Sequence, residues 1–214
     1  MNIFDNNPNP MIADPTTAEA ILFRQTHDST MDAEVYSRFI YSIENQFRRS
    51  RFYKFYKSSI MNLGINYDQE MRNVNDEMAT IEMHHHLPTL NQASIMISEH
   101  LMNTKGFASS MEVLYELEQA HRNNWMGVIM LSTSMHQAYH SDPSAFISLR
   151  QCVGDPFMFL NKYYDGLTLD IAFKWLLQLK LEDQNNSATV WMNIPRQREK
   201  LLEWGYATGN ILTQ

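Results

Sequence analysis

The chain has 214 residues, of which 44% are hydrophobic, 12% aromatic and 19% charged. That supports one well-buried domain with an appended terminal piece and excludes a disordered chain. A formal net charge of −7 argues against a protein that coats nucleic acid nonspecifically, though a local basic patch could still hold phosphates.

No apolar run approaches a membrane span, and the Asn/Pro-rich start reads without a basic-then-apolar leader. The single cysteine, Cys152, rules out an internal disulfide and a cysteine-based zinc site, and fits a reducing compartment. A soluble, cytoplasmic protein with no membrane partner is therefore expected.

Residues 1–15, with Asn6-Asn7-Pro8-Asn9-Pro10 and Asp14-Pro15, read as an extended arm. A helical domain is expected over 16–183, and a linker with a C-terminal helix over 184–214. Helical pattern begins near Thr16 or Asp32 and stops at Gly64. Tyr36, Phe39, Ile43 and Phe47 form one stripe. Phe52, Phe55, Tyr56, Ile60 and Leu63 form another, rotated away from the first, which predicts a break near Ser50. The same stretch is basic. Arg48, Arg49, Arg51, Lys54 and Lys57 fall between Glu44 and Asp68 with no acidic residue among them.

Residues 78–85 alternate weakly and contain β-formers, predicting a short strand that ends at the histidines. Helical pattern resumes at Pro88 and runs to about Asn103, where Lys105-Gly106 closes it. Ser109 or Ser110 caps a second helix to about His121, so 88–121 reads as a helical hairpin. Val128-Ile129-Met130-Leu131 predicts a buried strand. Ser132, Thr133 and Ser134 are candidate caps for a short helix carrying His136 and His140, which Asp142-Pro143 ends. Asp155-Pro156 opens another helix. Leu169–Leu181 is apolar on most sides, with Asp170, Lys174, Gln178 and Glu182 as a narrow polar stripe, and reads as a core helix. Residues 182–187 read as a linker, and Pro195–Trp204 as a final amphipathic helix.

Five of the eight histidines lie in two clusters, 84–86 and 136/140. Positions four apart on a helix share a face, so His136 and His140 can meet one metal ion. A third imidazole from the strand end would leave open positions for water and a phosphate oxygen, as a catalytic site needs. Strand alternation would pair His84 with His86 on one face and turn His85 to the other.

Glu82-Met83-His84-His85 with Pro88, followed by Val128 through His140, resembles the ββα-metal motif of HNH nucleases, and the colicin-type DNases within that family. Uncharacterised phage proteins carry similar Glu-Met-His-His and His-Gln-x-x-His elements. The resemblance covers residues 78–141, with 88–121 as an insertion, and departs from the family at Gly127, where an asparagine is usual. It implies a mainly α fold with a small β-hairpin, a ββα-metal core embedded in a helical domain. It also implies His84, His136 and His140 as ligands of one divalent ion (zinc, nickel, manganese or magnesium), with His86 as alternate ligand and His85 as general base.

The implied activity is metal-dependent endonucleolytic hydrolysis by a phage-encoded enzyme, with Arg48, Arg51, Lys54 and Lys57 contacting nucleic acid, DNA ahead of RNA. The setting would be the host cytoplasm or the virion. The competing expectation is a non-catalytic phage assembly or nucleic-acid-binding protein, with protein partners and a structural histidine clip. Gln137 stands where a zinc protease needs its glutamate base. His100 and His121 are expected on helix surfaces or at caps. Arg51, Lys54 and Lys57 also read as a solvated helix face opposite Phe52, Phe55 and Tyr56, which are expected in the core and not as base-stacking platforms.

Overall fold

The computed structural model describes residues 24–26, 32–141 and 146–184. The expected arm (1–15), Asp142-Pro143, and the helix at 195–204 lie outside the described residues, as does a helix start near Thr16. Among those described, the fold is mainly α with a small two-stranded antiparallel sheet, as expected, and a second, two-residue strand pairing.

Helix α1 (Ala33–Arg49) starts on Asp32, whose carboxylate accepts from the amides of Glu34 and Val35. It ends at Ser50, which sits in extended geometry (φ −63°, ψ 153°) and caps α2 (Arg51–Asn62) through its side chain and the Tyr53 amide. This is the break that the two stripes require. Phe39, Ile43 and Phe47 are buried on α1, and Tyr56 and Ile60 on α2. Phe55 and Leu63 are not core residues, being 67% and 80% exposed. Phe55 falls beyond the edge of the buried arc set by Phe52, Tyr56 and Ile60, and Leu63 lies past the last turn.

Strand β2 (Ile81–Leu87) runs through all three histidines instead of ending at them. It pairs antiparallel with β4 (Gly127–Ser132), His84 opposite Ile129 and His85 opposite Val128, with a bulge between His85 and Leu87. Between them come α3 (Leu90–Lys105), opened by a Thr89/Gln92 capping box and closed by left-handed Gly106, and α4 (Ser110–Arg122), capped by Ser109. The expected hairpin of helices is thus present. A two-residue strand β3 (Ala108–Ser109) joins them and pairs with β1 (Arg24–Gln25), a pairing too short to show as periodicity.

Helix α5 (Thr133–Ser141) follows β4 without a gap, completing a ββα order. The chain then forms α6 (Pro156–Lys162), capped by Asp155, and α7 (Leu169–Gln184). On α7, Ile171, Trp175, Leu176 and Leu179 are buried, while Leu169, Phe173 and Leu177 are exposed. The helix therefore packs by one face and is not enclosed. Glu182 belongs to this helix, not to a linker. It is fully buried and accepts from the Leu149 amide (2.5 Å), Ser148 Oγ (3.0 Å) and Gln178 Nε2 (2.9 Å). Such multiple donors are what a buried carboxylate requires.

The two faces of the hairpin are covered differently. Ile81, Met83 and Leu87 join Val128 and Met130 in the main core. Ile129 and Leu131 form a smaller cluster with Ile147, Met135 and Tyr139, so α5 lies over the face that carries Glu82, His84 and His86.

Asp68 locks the end of β4. Its Oδ1 accepts from the amides of Glu70 and Met71, and its Oδ2 from the amide of Ser132 at 2.8 Å. Burial alone would raise its pKa, but the donors from Ser132, Met71 and Glu70 outweigh it and hold the carboxyl below its usual value. Replacing Asp68 with Ala strands a buried amide at the β4–α5 junction. It should cost about 1–3 kcal/mol, read as a lowered urea midpoint at unchanged m-value.

Candidate metal centre

The site forms where β2 faces α5. Alternation puts Glu82, His84 and His86 on the α5 side, and the helical four-residue spacing brings His136 and His140 down onto them. Ring centroids of His84 lie 4.9 Å from His136 and 5.2 Å from His140, and His136 lies 4.7 Å from His140. One ligand nitrogen from each of these three residues falls within 4.8 Å of the others. His84 is buried, His136 half-buried and His140 exposed, so the cluster has an inner wall and an open side.

Glu82, part of the motif, carries a role that the motif alone does not assign. Its Oε2 lies 2.5 Å from His136 Nδ1, and Thr133 Oγ1 donates to its Oε1 at 3.3 Å. Because the carboxylate accepts, the Nδ1 of His136 carries the hydrogen and Nε2 keeps its lone pair. This is the arrangement that prepares an imidazole for a metal. Its signal was readable, since Glu82 is two residues before His84 and so shares its strand face. The Nε2 atoms of His136 and His140 are 3.0 Å apart. At that distance an Nε2–H of His140 donates to the His136 lone pair, or, in its other tautomer, both rings turn a lone pair toward one cation. Three borderline imidazole donors, one preset by a carboxylate, fit a divalent ion such as zinc, nickel or manganese.

His86 shares the face of His84 but stands apart from the three-nitrogen group. Its ring is 6.4 Å from that of His84, and its Nδ1 is 3.3 Å from the Tyr139 hydroxyl. His85 turns to the opposite side. Its Nε2 is 2.8 Å from Nε2 of His121, between Tyr53 and the core. His121 is therefore neither a surface nor a capping residue; it is fully buried. Val113, Leu117, Ala120 and His121 make one stripe on α4, a pattern that could have placed it. His100 matches expectation: it lies on α3 and pairs through Nδ1 with Asp165 at 2.7 Å.

A cleft of about 290 Å³ opens beside the cluster, lined by His84, His85, His136 and His140 with Glu44, Arg48 and Asn91. Asn91 donates to Glu44 at 2.6 Å. Of the expected basic contacts, Arg48 alone lines this cleft; Arg51 and Lys54 are exposed on α2, as a solvated face would be. Burial pushes the His84 pKa down to about 3, with the neighbouring histidines and Arg48 adding to the effect. Burial, then His136 and Arg48, lowers that of His140 as well. The asparagine usual in the HNH motif has no room here. A Cβ on Gly127 would meet the Leu87 carbonyl at 2.7 Å and the Pro156 ring at 3.3 Å.

Residues 11–203 match the model of the family described as bacteriophage G278-like virion protein. The chain belongs to that family. No curated protein and no solved structure matches it. The description puts the family in the virion, the second of the two expected settings, and names no activity. No helix among the described residues of this virion protein is long and apolar enough to cross a membrane.

Glu82→Gln should weaken zinc binding about 10- to 100-fold, since the partner that orients His136 is lost; a metal titration followed by calorimetry checks this. Burial also holds His121 and His86 down at about 4, against an ordinary value of 6.5. The unfolded chain therefore takes up protons that the native state refuses. Stability of the metal-free protein should be full above about pH 6.5 and fall as the pH drops toward about 4. Urea unfolding in chelator across that range reads it, and a flat profile would contradict the burial.

Proposed function

We propose that this virion protein binds one divalent ion through His84, His136 and His140 and uses it to hydrolyse nucleic-acid phosphodiesters, DNA ahead of RNA. The observation that carries the reading is the three-histidine cluster open to a cleft that also holds Arg48 and His85. A structural clip would be expected to have four ligands and no opening. The ββα order and the Glu82-Met83-His84-His85 spacing support an HNH-like relationship.

In this reading Arg48 neutralises a phosphate at the cleft mouth. His85 takes the proton of the attacking water as its oxygen bonds to phosphorus, and the bond to the leaving oxygen breaks. That oxygen is protonated from solvent. Glu82 keeps His136 oriented. A bound ion would supply Lewis-acid stabilisation of the charge on the phosphate.

The family description favours a second reading, in which the same histidines clip β2 to α5 in a particle component that cleaves nothing and meets protein partners. Both readings expect about one ion per chain, and cleavage separates them. Full-length protein should nick plasmid DNA with manganese, nickel, zinc or magnesium and lose this activity in chelator. His136→Ala should lose both metal and cleavage, while His100→Ala keeps both. Arg48→Gln should flatten the log–log salt dependence of DNA binding by about one unit. Folded, metal-loaded protein that cuts neither DNA nor RNA would end the enzymatic reading and leave the clip.

A further inference from the structure

Behind the metal-binding face, His85 and His121 form a buried pair whose protons can be placed from geometry. His121 Nδ1 lies 2.7 Å from the Leu117 carbonyl oxygen. A carbonyl only accepts, so this nitrogen carries a hydrogen. A neutral imidazole has one N–H, which leaves a lone pair on His121 Nε2. His85 Nε2 sits 2.8 Å from that lone pair, and only a hydrogen on His85 Nε2 makes the contact attractive. The free lone pair of His85 then lies on Nδ1, which is buried and has no hydrogen-bond partner. Buried polar atoms without partners are rare and costly, and they collect at sites of function.

The surroundings favour neutral rings. His121 is enclosed by Phe47 at 4.8 Å and Tyr56 at 5.0 Å, and His85 by Tyr53 at 5.9 Å.

We propose that His121 is the positioning residue that fixes His85 in its Nε2–H tautomer, so that Nδ1 is the lone pair that the site presents for proton transfer. The relay runs from the Leu117 carbonyl through His121 to His85, and it joins α4, within the 88–121 insertion, to the catalytic strand. Its catalytic consequence rests on the hydrolytic reading; the proton arrangement does not. A base restrained on one nitrogen is left with its other nitrogen as the sole acceptor, the role that orienting partners serve wherever histidine moves a proton.

Long-range proton–nitrogen correlation spectra of the full-length protein at neutral pH test the arrangement directly. His85 should show a protonated Nε2 and a bare Nδ1, and His121 the reverse. His121→Phe should give His85 a mixture of tautomers and lower kcat about 10-fold or more, with metal affinity kept. His121→Gln, whose amide oxygen accepts, should restore much of both. A hydrogen on His85 Nδ1, or a doubly protonated His121, would overturn the proposal. So would His121→Phe protein with the His85 protons unchanged. If the variants do not fold, the wild-type spectrum alone decides. Expected tautomers in a protein that cuts no nucleic acid would uphold the proton relay and sink the hydrolytic reading.

Discussion

Alternation across one strand, β2, governs the rest of this molecule. Six of its seven residues pair with β4, His86 falling in the bulge, and the strand is covered on both faces, so each side chain has only one of two places to go. Glu82, His84 and His86 meet α5. Ile81, Met83, His85 and Leu87 meet the main core or its edge. Three consecutive histidines are thereby split between two environments, and a slip of one residue would exchange them. Asp68, bonded to the Ser132 amide, and the Gln69 contacts to both Met130 backbone groups hold the partner strand in register.

The division produces two histidine groups of different character. On the α5 side, His84, His136 and His140 converge at a cleft, with Glu82 presetting one ring. On the core side, His85 and His121 share a hydrogen among aromatic rings; His121 is fully buried, while His85 also lines the cleft. A cation would answer the first group's lone pairs, whereas the second group's are answered by one another except at His85 Nδ1. That arrangement puts a potential metal centre and a potential base on opposite faces of one strand, both touching the same cleft.

Membership of a virion protein family sets where these groups operate and leaves their chemistry to the site itself. Fold and family do not specify a reaction; side-chain geometry does. Gly127 has a local cause, since the Leu87 carbonyl and Pro156 occupy the space any side chain there would need. The bulge between His85 and Leu87 lets the strand turn toward α3 just beyond the histidines, and His121 comes to His85 from the helical pair that follows.

The sequence by itself determined the helical class, the break at Ser50, the two core strands, the helical hairpin between them and the placing of His136 and His140 on one helix face, while the choice of His84 as their partner came from the family resemblance. All but that last choice rest on short-range rules: side-chain period, capping residues, and the four-residue spacing that puts two histidines on one helix face. It also held the alternation that turns His85 away from His84. What it could not decide was where the far side of the strand would lead. His121 lies 36 positions from His85, and nothing local says that α4 will bring it there. Likewise Phe55 and the Leu169/Phe173/Leu177 edge of α7 carry core-like patterns, but which part of an apolar arc is covered depends on the neighbours it meets. The choice of Arg48 over Arg51, Lys54 and Lys57 as the cation at the cleft was settled the same way, by how α1 docks beside β2. Tertiary packing decides these questions because burial belongs to pairs of surfaces, and the second surface is written elsewhere in the chain.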